Sequence, residues 1–189
     1  MAQQRRFVSR AGEKLAFALE QFKVDPAGLV CADLGCHAGG FTDCLLQAGA
    51  ATVYAVDTGK NILDWNLRND QRVVVMEKTN ALHVQLPQSV DLVTVDVGWT
   101  PQRLIVPHAL SLIEPHGMII SLIKPHYEAT DKERVRGKVR DELVARVLQR
   151  TLAALRALGC DVSRPIESPV TGSKGKNREF LVVIRPGAD

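Results

Sequence analysis

Long apolar runs are missing from this 189-residue chain. Its longest apolar stretches, such as residues 117–123, fall far short of the roughly 20 residues that a membrane-spanning helix needs. Residues 1–10 are polar and basic with no apolar run behind them, which excludes a secretory signal of the usual kind. We therefore expect a cytoplasmic protein that does not use a membrane.

Cysteine is scarce and is not spaced for metal binding. The four cysteines, Cys31, Cys36, Cys44 and Cys160, form no CxxC pair, and no histidine lies at zinc-finger spacing. Reduced, mostly buried thiols are usual in cytoplasmic proteins, so we expect no disulfide and no metal site.

A large excess of one charge is also lacking, since the net charge is only +3. Three segments, residues 1–10, 131–140 and 172–178, nevertheless carry a net +3 each. If they meet in the fold, they form a positive face suited to phosphates, whereas the alternative is three solvated loops. The length fits one domain over residues 1–189, with residues 1–8 as a flexible basic N-terminus.

Short β-branched runs alternate with helical stretches along the chain. Such alternation is typical of an α/β fold with a mostly parallel sheet and helices on both faces. No helical stretch separates the last two runs, so we expect a final antiparallel strand. The helical patterns cover residues 9–22, 39–48, 101–113 and 141–158. The apolar runs predict seven strands, over residues 29–34, 51–56, 72–76, 90–95, 118–123, 160–166 and 180–184.

Polar side chains stand at the ends of four of these runs. Asp33, Asp57, Asp96 and Lys124 each close an apolar stretch. In doubly wound sheets, ligands bind outside the carboxyl ends of the strands. We therefore expect the functional site at that edge of the sheet.

The turn after the first strand, DLGCHAGGF at residues 33–41, is rich in glycine. Glycine lets a ligand approach the backbone closely, and free N–H groups at the following helix start favour an anion. The methionine carboxylate of S-adenosylmethionine is such an anion. The turn is neither a dinucleotide GxGxxG motif nor a P-loop, and a tight turn without a ligand is the alternative.

Further residues extend this predicted cofactor site. Asp57 lies 18 residues after Gly39, where an acid at the end of the second strand holds a ribose diol. Thr79 and Asn80 follow the third strand and are expected beside the adenine, unless they merely form a turn. The predicted contacts of S-adenosylmethionine are Asp33, Gly35, Cys36, His37, Gly39, Gly40, Phe41, Asp57, Thr79, Asn80 and Asp96.

Six segments of the chain together form a recognisable set of motifs. They are SRAGEKL (9–15), DLGCHAGGFTDCLL (33–46), VYAVDTG (53–59), VTVDV (93–97), IKPHYEA (123–129) and SPVTGSKGKNREFL (168–181). This set resembles the FtsJ-like methyltransferases, most closely the TlyA branch, whose members are often named haemolysins. The resemblance implies the Rossmann-like methyltransferase fold, S-adenosylmethionine as cofactor and 2′-O-methylation of ribose in RNA, which is ribosomal RNA in that branch.

The family is known for a Lys-Asp-Lys-Glu catalytic tetrad, which by motif falls on Lys14, Asp96, Lys124 and Glu179. A ribose hydroxyl is a poor nucleophile at neutral pH, so a neighbouring group must take its proton. A lysine does so only when its pKa lies well below ~10.4, which burial and a second nearby lysine favour. The resemblance therefore implies Lys124 as the base, Lys14 as the like charge, and the two acids as orienting groups.

The basic segments are expected to contact RNA, in ribosomal RNA or a ribosomal subunit. TlyA proteins carry a small N-terminal RNA-binding domain before the SRxGxKL motif, and we expect this chain to lack it. Two further departures from the branch are Gly98-Trp99-Thr100 in place of Ser-Phe, and Cys36-His37 in place of small polar residues. The predicted RNA contacts are Arg10, Arg134, Arg136, Lys138, Arg140, Lys174 and Lys176.

Two other functions stay open. The acceptor of the methyl group could be a small molecule or a protein. The chain could also be a cofactor-binding scaffold without activity, or a membrane-lytic protein as the name haemolysin suggests. The polar face of the helix over residues 141–158 mixes charges of both signs, which argues against lysis.

Overall fold

The computed structural model describes residues 6–171 and 177–187. The strands are β1 (Val30–Leu34), β2 (Thr52–Val56), β3 (Val73–Met76), β4 (Val90–Val95), β5 (Ile113–Ile123), β6 (Arg134–Val135), β7 (Lys138–Val139), β8 (Cys160–Val162), β9 (Ile166–Glu167) and β10 (Phe180–Pro186). The helices are α1 (Ala11–Phe22), α2 (Gly40–Gln47), α3 (Trp65–Arg68), α4 (Gln102–Ser111), α5 (Pro125–Glu128) and α6 (Asp141–Ala157), with a 3₁₀ turn at Asp131–Glu133.

The main sheet has the strand order β3-β2-β1-β4-β5-β10-β8, and β9 pairs with β10 at its side. Strands β1 to β5 run parallel, whereas β10 is antiparallel to both β5 and β8. The predicted mostly parallel sheet with a final antiparallel strand is therefore confirmed. The main sheet has eight strands and not the seven predicted, because the apolar run over residues 160–166 divides at Pro165, which has no N–H to continue the ladder.

Helices cover both faces of this sheet. On one face, α4 and α6 bury residues such as Ile105 and Leu155 against the strands. On the other face, α1 and α2 bury Leu15, Phe41 and Leu45. Each fully buried side chain of this size stabilises the fold by about 1.5–3 kcal/mol. Because both faces are covered, the central strands read as nearly continuous apolar runs.

Short elements depart from the sequence prediction. Helix α4 ends at Ser111 and not at Ile113, because Ile113 pairs with Val90 as the first residue of β5. Helices α3 and α5 and the β6–β7 hairpin are too short to give a periodic pattern. Arg136 and Gly137 form the hairpin turn with φ of 49° and 77°, as a two-residue turn of this kind requires.

The segment before α1 is anchored on α2. Phe7 is only 3% exposed and its ring lies against Gly12. The Val8 N–H donates to Asp43 Oδ2 at 2.8 Å, and Gln47 Nε2 donates to the Arg6 carbonyl oxygen at 3.0 Å. An apolar ring and two hydrogen bonds thus attach residues 6–8, part of the N-terminus predicted to be flexible, to the folded domain. Residues 1–5 lie outside the described ranges.

Neither a membrane-spanning helix nor a metal cluster occurs in the described ranges. None of the helices there is long and apolar enough to cross a bilayer. The same ranges contain no group of three histidine, cysteine or acidic side chains arranged for a metal ion.

Candidate active site

A cleft of about 580 Å³ opens at the carboxyl ends of β1, β2, β4 and β5. A smaller pocket of about 110 Å³ adjoins it, shares Gly35 and Asp57 with it, and adds Thr79 and Asn80. The main cleft brings together predicted residues from across the chain. Those that line it are Arg10, Lys14, Gly35, Cys36, His37, Phe41, Asp57, Asp96, Lys124 and Glu179.

Two ion pairs form the floor of the cleft. Lys14 Nζ contacts Glu179 Oε2, and Lys124 Nζ contacts Asp96 Oδ1. Lys14 and Glu179 are both buried, although 165 residues separate them along the chain. Lys124 Nζ also donates to the Val97 carbonyl oxygen at 3.3 Å. The cleft therefore holds two amines and two carboxylates with little access to bulk water.

Strand register explains why these groups meet. In the antiparallel pair of β5 and β10, Ile123 faces Phe180, so Lys124 after β5 and Glu179 before β10 lie side by side. Asp96 follows β4, which is the parallel neighbour of β5. Lys14 is carried by α1, whose apolar side packs on the sheet next to this edge.

Asp96 Oδ1 has an unusual environment for a buried oxygen. It faces the Lys124 ammonium, yet within residues 6–171 and 177–187 no donor reaches it with hydrogen-bond geometry. The Lys124 ammonium is therefore the group that balances the charge of this buried oxygen.

The glycine-rich turn forms the wall of the cleft beside Asp57. Gly35 and Gly39 have φ of 86° and 95°, and a Cβ on Gly35 would lie 2.8 Å from the Asp96 carbonyl oxygen. Asp57 accepts the His37 N–H at 2.9 Å and the Gly59 N–H at 2.8 Å. These bonds hold its carboxylate at the mouth of the turn, where a diol could bind it.

Asp33 lies behind the turn and is fully buried. Its carboxylate accepts the Thr42 N–H at 2.9 Å, the Thr42 hydroxyl at 2.7 Å and the Thr94 hydroxyl at 3.0 Å. Burial raises the pKa of Asp33 to about 7, against the opposing effect of the hydroxyl hydrogen bonds. Asp33 therefore supports the turn from within the core. Gly39 and Gly40 likewise lie outside the cleft lining.

An aromatic pair at the rim joins the site without having been predicted. Trp99 is 81% exposed, has a φ of 60°, and its ring centroid lies 5.0 Å from that of Tyr127. Lys124 Nζ lies 5.6 Å from the centroid of the Tyr127 ring. The sequence does place Trp99 in the loop after Asp96, an acid at the end of a strand, which could have indicated a role at the site. The resemblance to the TlyA branch identifies Trp99 only as a difference from that branch.

The family model of the FtsJ-like methyltransferases matches residues 7–185. This chain is an FtsJ-like methyltransferase. It accordingly uses S-adenosylmethionine, on the Rossmann-like fold of such enzymes. The residues at the cleft fit that cofactor, since Asp57 faces a glycine-rich turn at the start of a helix.

Known relatives of this FtsJ-like methyltransferase cover nearly all of its chain. YqxC of Bacillus subtilis (strain 168), named as a candidate rRNA methyltransferase, is 43% identical over 96% of this chain and 67% of its own. TlyA of Mycobacterium tuberculosis (strain ATCC 25618 / H37Rv), named 16S/23S rRNA (cytidine-2'-O)-methyltransferase, is 37% identical over 98% and 71%. A solved structure of a candidate hemolysin from Streptococcus thermophilus has a TM-score of 0.91 at 33% identity, covering 100% and 72%.

The basic residues of this FtsJ-like methyltransferase fall into different groups. Arg10 lines the cleft, whereas Arg134 is tied to the His126 carbonyl oxygen at 3.2 Å and to Asp131 at 2.5 Å. At the hairpin tip, Arg136 has no acidic partner among the residues that the structure describes. Two others pair with neighbouring acids, namely Lys138 with Asp141 and Arg140 with Glu142. The predicted contacts Lys174 and Lys176 lie outside the described ranges.

Thr79 and Asn80 lie in the smaller pocket, beside Asp57. The Thr79 N–H donates to the Asp57 carbonyl oxygen at 2.9 Å, and the Thr79 hydroxyl donates to the Glu77 carbonyl oxygen at 3.1 Å. Asn80 Oδ1 accepts the Leu82 N–H at 2.9 Å. Both side chains thus have a hydrogen-bond partner in the fold and lie next to Asp57, and their contact with the adenine stays a prediction.

Proposed function

We propose that this protein transfers the methyl group of S-adenosylmethionine to a ribose 2′-hydroxyl of ribosomal RNA. The observation that carries the proposal is two ion pairs beside the glycine-rich turn, the buried Lys14–Glu179 pair and the half-buried Lys124–Asp96 pair. The names of the TlyA relatives, which are rRNA (cytidine-2'-O)-methyltransferases, support ribosomal RNA as the substrate class. We propose the cytoplasm as its place of action.

Lys124 is the group proposed to take the proton from the attacking hydroxyl. A lysine accepts a proton only as a neutral amine, so Lys124 must enter the step in that form. Asp96 then stabilises the ammonium that forms. Positioned acid–base groups of this kind contribute about 10²–10⁴-fold to a rate.

The remaining groups are proposed to orient the acceptor. The proposed role of Asp96 is to hold the Lys124 amine toward the 2′-hydroxyl through their ion pair, and the Lys14–Glu179 pair lines the same cleft beside the acceptor. When bound, the cofactor supplies an electrophilic methyl group. In-line positioning of the hydroxyl toward that methyl group contributes more than proton transfer, roughly 7–11 kcal/mol in well-oriented reactions.

The rim favours a nucleic acid over a small molecule as the acceptor. The exposed Trp99 ring, backed by Tyr127, offers a surface on which an unpaired base can stack, worth roughly 1–3 kcal/mol. Arg10 in the cleft and Arg136 on the hairpin are positioned to contact phosphates, and we propose Lys174 and Lys176 for the same role. A small acceptor would require neither an exposed aromatic rim nor a basic hairpin.

Membrane lysis is not proposed, despite the hemolysin names among the relatives. The amphipathic helix α6 turns its apolar side toward the sheet, where Val147, Leu152 and Leu155 are fully buried. An apolar face that already packs in the core cannot also insert into a bilayer without unfolding the domain.

Transfer of labelled methyl groups from S-adenosylmethionine to ribosomal subunits, followed by mapping of the modified nucleotide, tests the proposal. Lys124→Ala should abolish transfer and retain cofactor binding measured by calorimetry. Lys23→Asn, at a solvent-facing lysine that ends α1, is the matched control and should keep full activity. Label on a base rather than on a 2′-oxygen, or unchanged turnover of Lys124→Ala, would contradict the proposal.

A further inference from the structure

The carboxylate of Glu77 holds a loop that lies beside the cofactor cleft. Glu77 follows β3 and accepts the backbone N–H groups of Asn61, Ile62 and Leu63 at 2.8, 3.0 and 3.3 Å. It also accepts Arg68 Nη2 at 2.5 Å. These donors, with the Asn61 N–H foremost, hold the pKa of Glu77 at about 2, well below its usual value. The side chain therefore satisfies three consecutive backbone donors as a permanent anion.

The loop held by Glu77 packs on the glycine-rich turn. The Asp64 N–H donates to the Ala38 carbonyl oxygen at 3.1 Å. The Leu63 and Leu67 side chains lie so close to Gly39 that a Cβ there would collide with both. The loop over residues 59–64 is thus the outer support of the turn that faces the cofactor.

The same loop also holds Asp57. The Gly59 N–H donates to Asp57 Oδ1 at 2.8 Å, and the Gly59 carbonyl oxygen accepts the Lys78 N–H at 3.0 Å. Glu77 thereby lies behind the ribose-binding acid and behind the glycine-rich turn at once. It does so without lining either cofactor pocket.

Residues 59–63 belong to no helix or strand, so no regular backbone ladder pairs their N–H groups. The Glu77 carboxylate provides hydrogen-bond acceptors for these donors instead. Without the carboxylate, three backbone donors lose their partner and the loop gains conformational freedom. Binding the cofactor must then also order the loop, which lowers affinity without a direct contact being lost.

We infer that Glu77 is a positioning residue for S-adenosylmethionine, because it fixes the loop that holds Asp57 and the glycine-rich turn. The inference rests on the proposed placement of the cofactor at Asp57. Glu77→Ala should weaken cofactor affinity by about tenfold or more, and Glu77→Gln by less, since an amide oxygen still accepts some of the donors. Turnover at saturating cofactor should change far less than the affinity.

The test is calorimetric binding of S-adenosylmethionine and S-adenosylhomocysteine to both variants. Asp70→Asn is the matched control, because Asp70 accepts the Arg72 backbone N–H and guanidinium just before β3, at the opposite end of the same strand. A merely structural role predicts that both sites lower the melting temperature and neither changes affinity. That result would overturn the inference.

Additional measurements distinguish a positioning role of Glu77 from direct charge attraction to the cofactor and from a failure of the variants to fold. Equal loss for both ligands supports positioning, whereas loss for the sulfonium ligand alone would mean direct charge attraction and would refute it. If the Glu77 variants do not fold, Arg68→Met removes one of the four donors and should weaken affinity a few-fold, and an unchanged affinity would count against the inference. Asp57→Ala tests the placement itself, since unchanged affinity there contradicts the proposed cofactor site and not only the role of Glu77.

Discussion

Replacement of Asp33 by asparagine tests how the turn beneath the cofactor is held. Asp33 is fully buried among Thr42 and Thr94, and its pKa is raised to about 7. The asparagine oxygen can accept both Thr42 donors, and its amide can donate to the Thr94 hydroxyl. That hydroxyl can then donate to the Ala32 carbonyl oxygen, which lies 3.5 Å away. The substitution therefore removes a buried charge and leaves the hydrogen bonds with partners.

The size of the stability change follows from the difference between the pKa of Asp33 in the folded protein and its pKa in the unfolded chain. An unfolded aspartate titrates near pH 4, so a folded pKa of about 7 corresponds to roughly 4 kcal/mol at ~1.36 per unit. Between about pH 4 and 7 the folded state keeps the Asp33 proton and the unfolded state does not. The stability that this group contributes is therefore present at about pH 4 and is lost as the pH rises to 7.

We expect the free energy of unfolding of the natural protein to fall over this pH range more steeply than that of Asp33→Asn. Urea unfolding at pH 5, 6, 7 and 8 measures the difference, which should reach a few kcal/mol at pH 8 in favour of the variant. Asp161→Asn, at an exposed acid on β8, is the control for the loss of one negative charge. Parallel pH profiles for Asp33→Asn and the natural protein would refute the buried-charge argument.

Two remaining predictions concern the acceptor. Trp99→Ala should raise KM for RNA at least about fivefold with little effect on cofactor affinity, because it removes a stacking surface worth roughly 1–3 kcal/mol per base. Steady-state kinetics measure this change, and the control Trp65→Ala, at a tryptophan outside the cleft, should behave like the natural protein. If the hairpin contacts one phosphate, Arg136→Ala should reduce the slope of log RNA affinity against log salt concentration by about 1. Filter binding over a salt series measures this slope, and an unchanged slope would exclude the hairpin contact.

The sheet was predictable because its central strands are buried on both faces. The residues of β4 and β10 form nearly unbroken apolar runs, and the acids and amines that close such runs mark the strand ends. Asp96 and Lys124 can therefore be found from pattern alone. Lys14 cannot, because a single lysine on an amphipathic helix reads as a solvated side chain, and only the resemblance draws attention to it.

The supporting residues could not be predicted for a different reason. The role of Glu77 depends on three backbone donors in a loop without periodicity, and no residue type announces that arrangement. Asp33 is expected from sequence to touch the cofactor because it opens the glycine-rich motif. In the structure its side chain points into the core, toward Thr94 on the neighbouring strand. A sequence identifies a strand end, but the side of the sheet that a side chain faces depends on its partners.

The antiparallel β10 explains why one acid of the cleft comes from a distant part of the chain. Ligands of a parallel sheet meet the carboxyl ends of its strands, so residues that precede a parallel strand lie at the wrong edge. An antiparallel strand reverses this rule, and its amino end joins the carboxyl ends of its neighbours. Glu179, directly before β10, therefore lies beside Lys124, directly after β5, and the insertion of β10 between β5 and β8 adds an acid to the cleft without an additional loop.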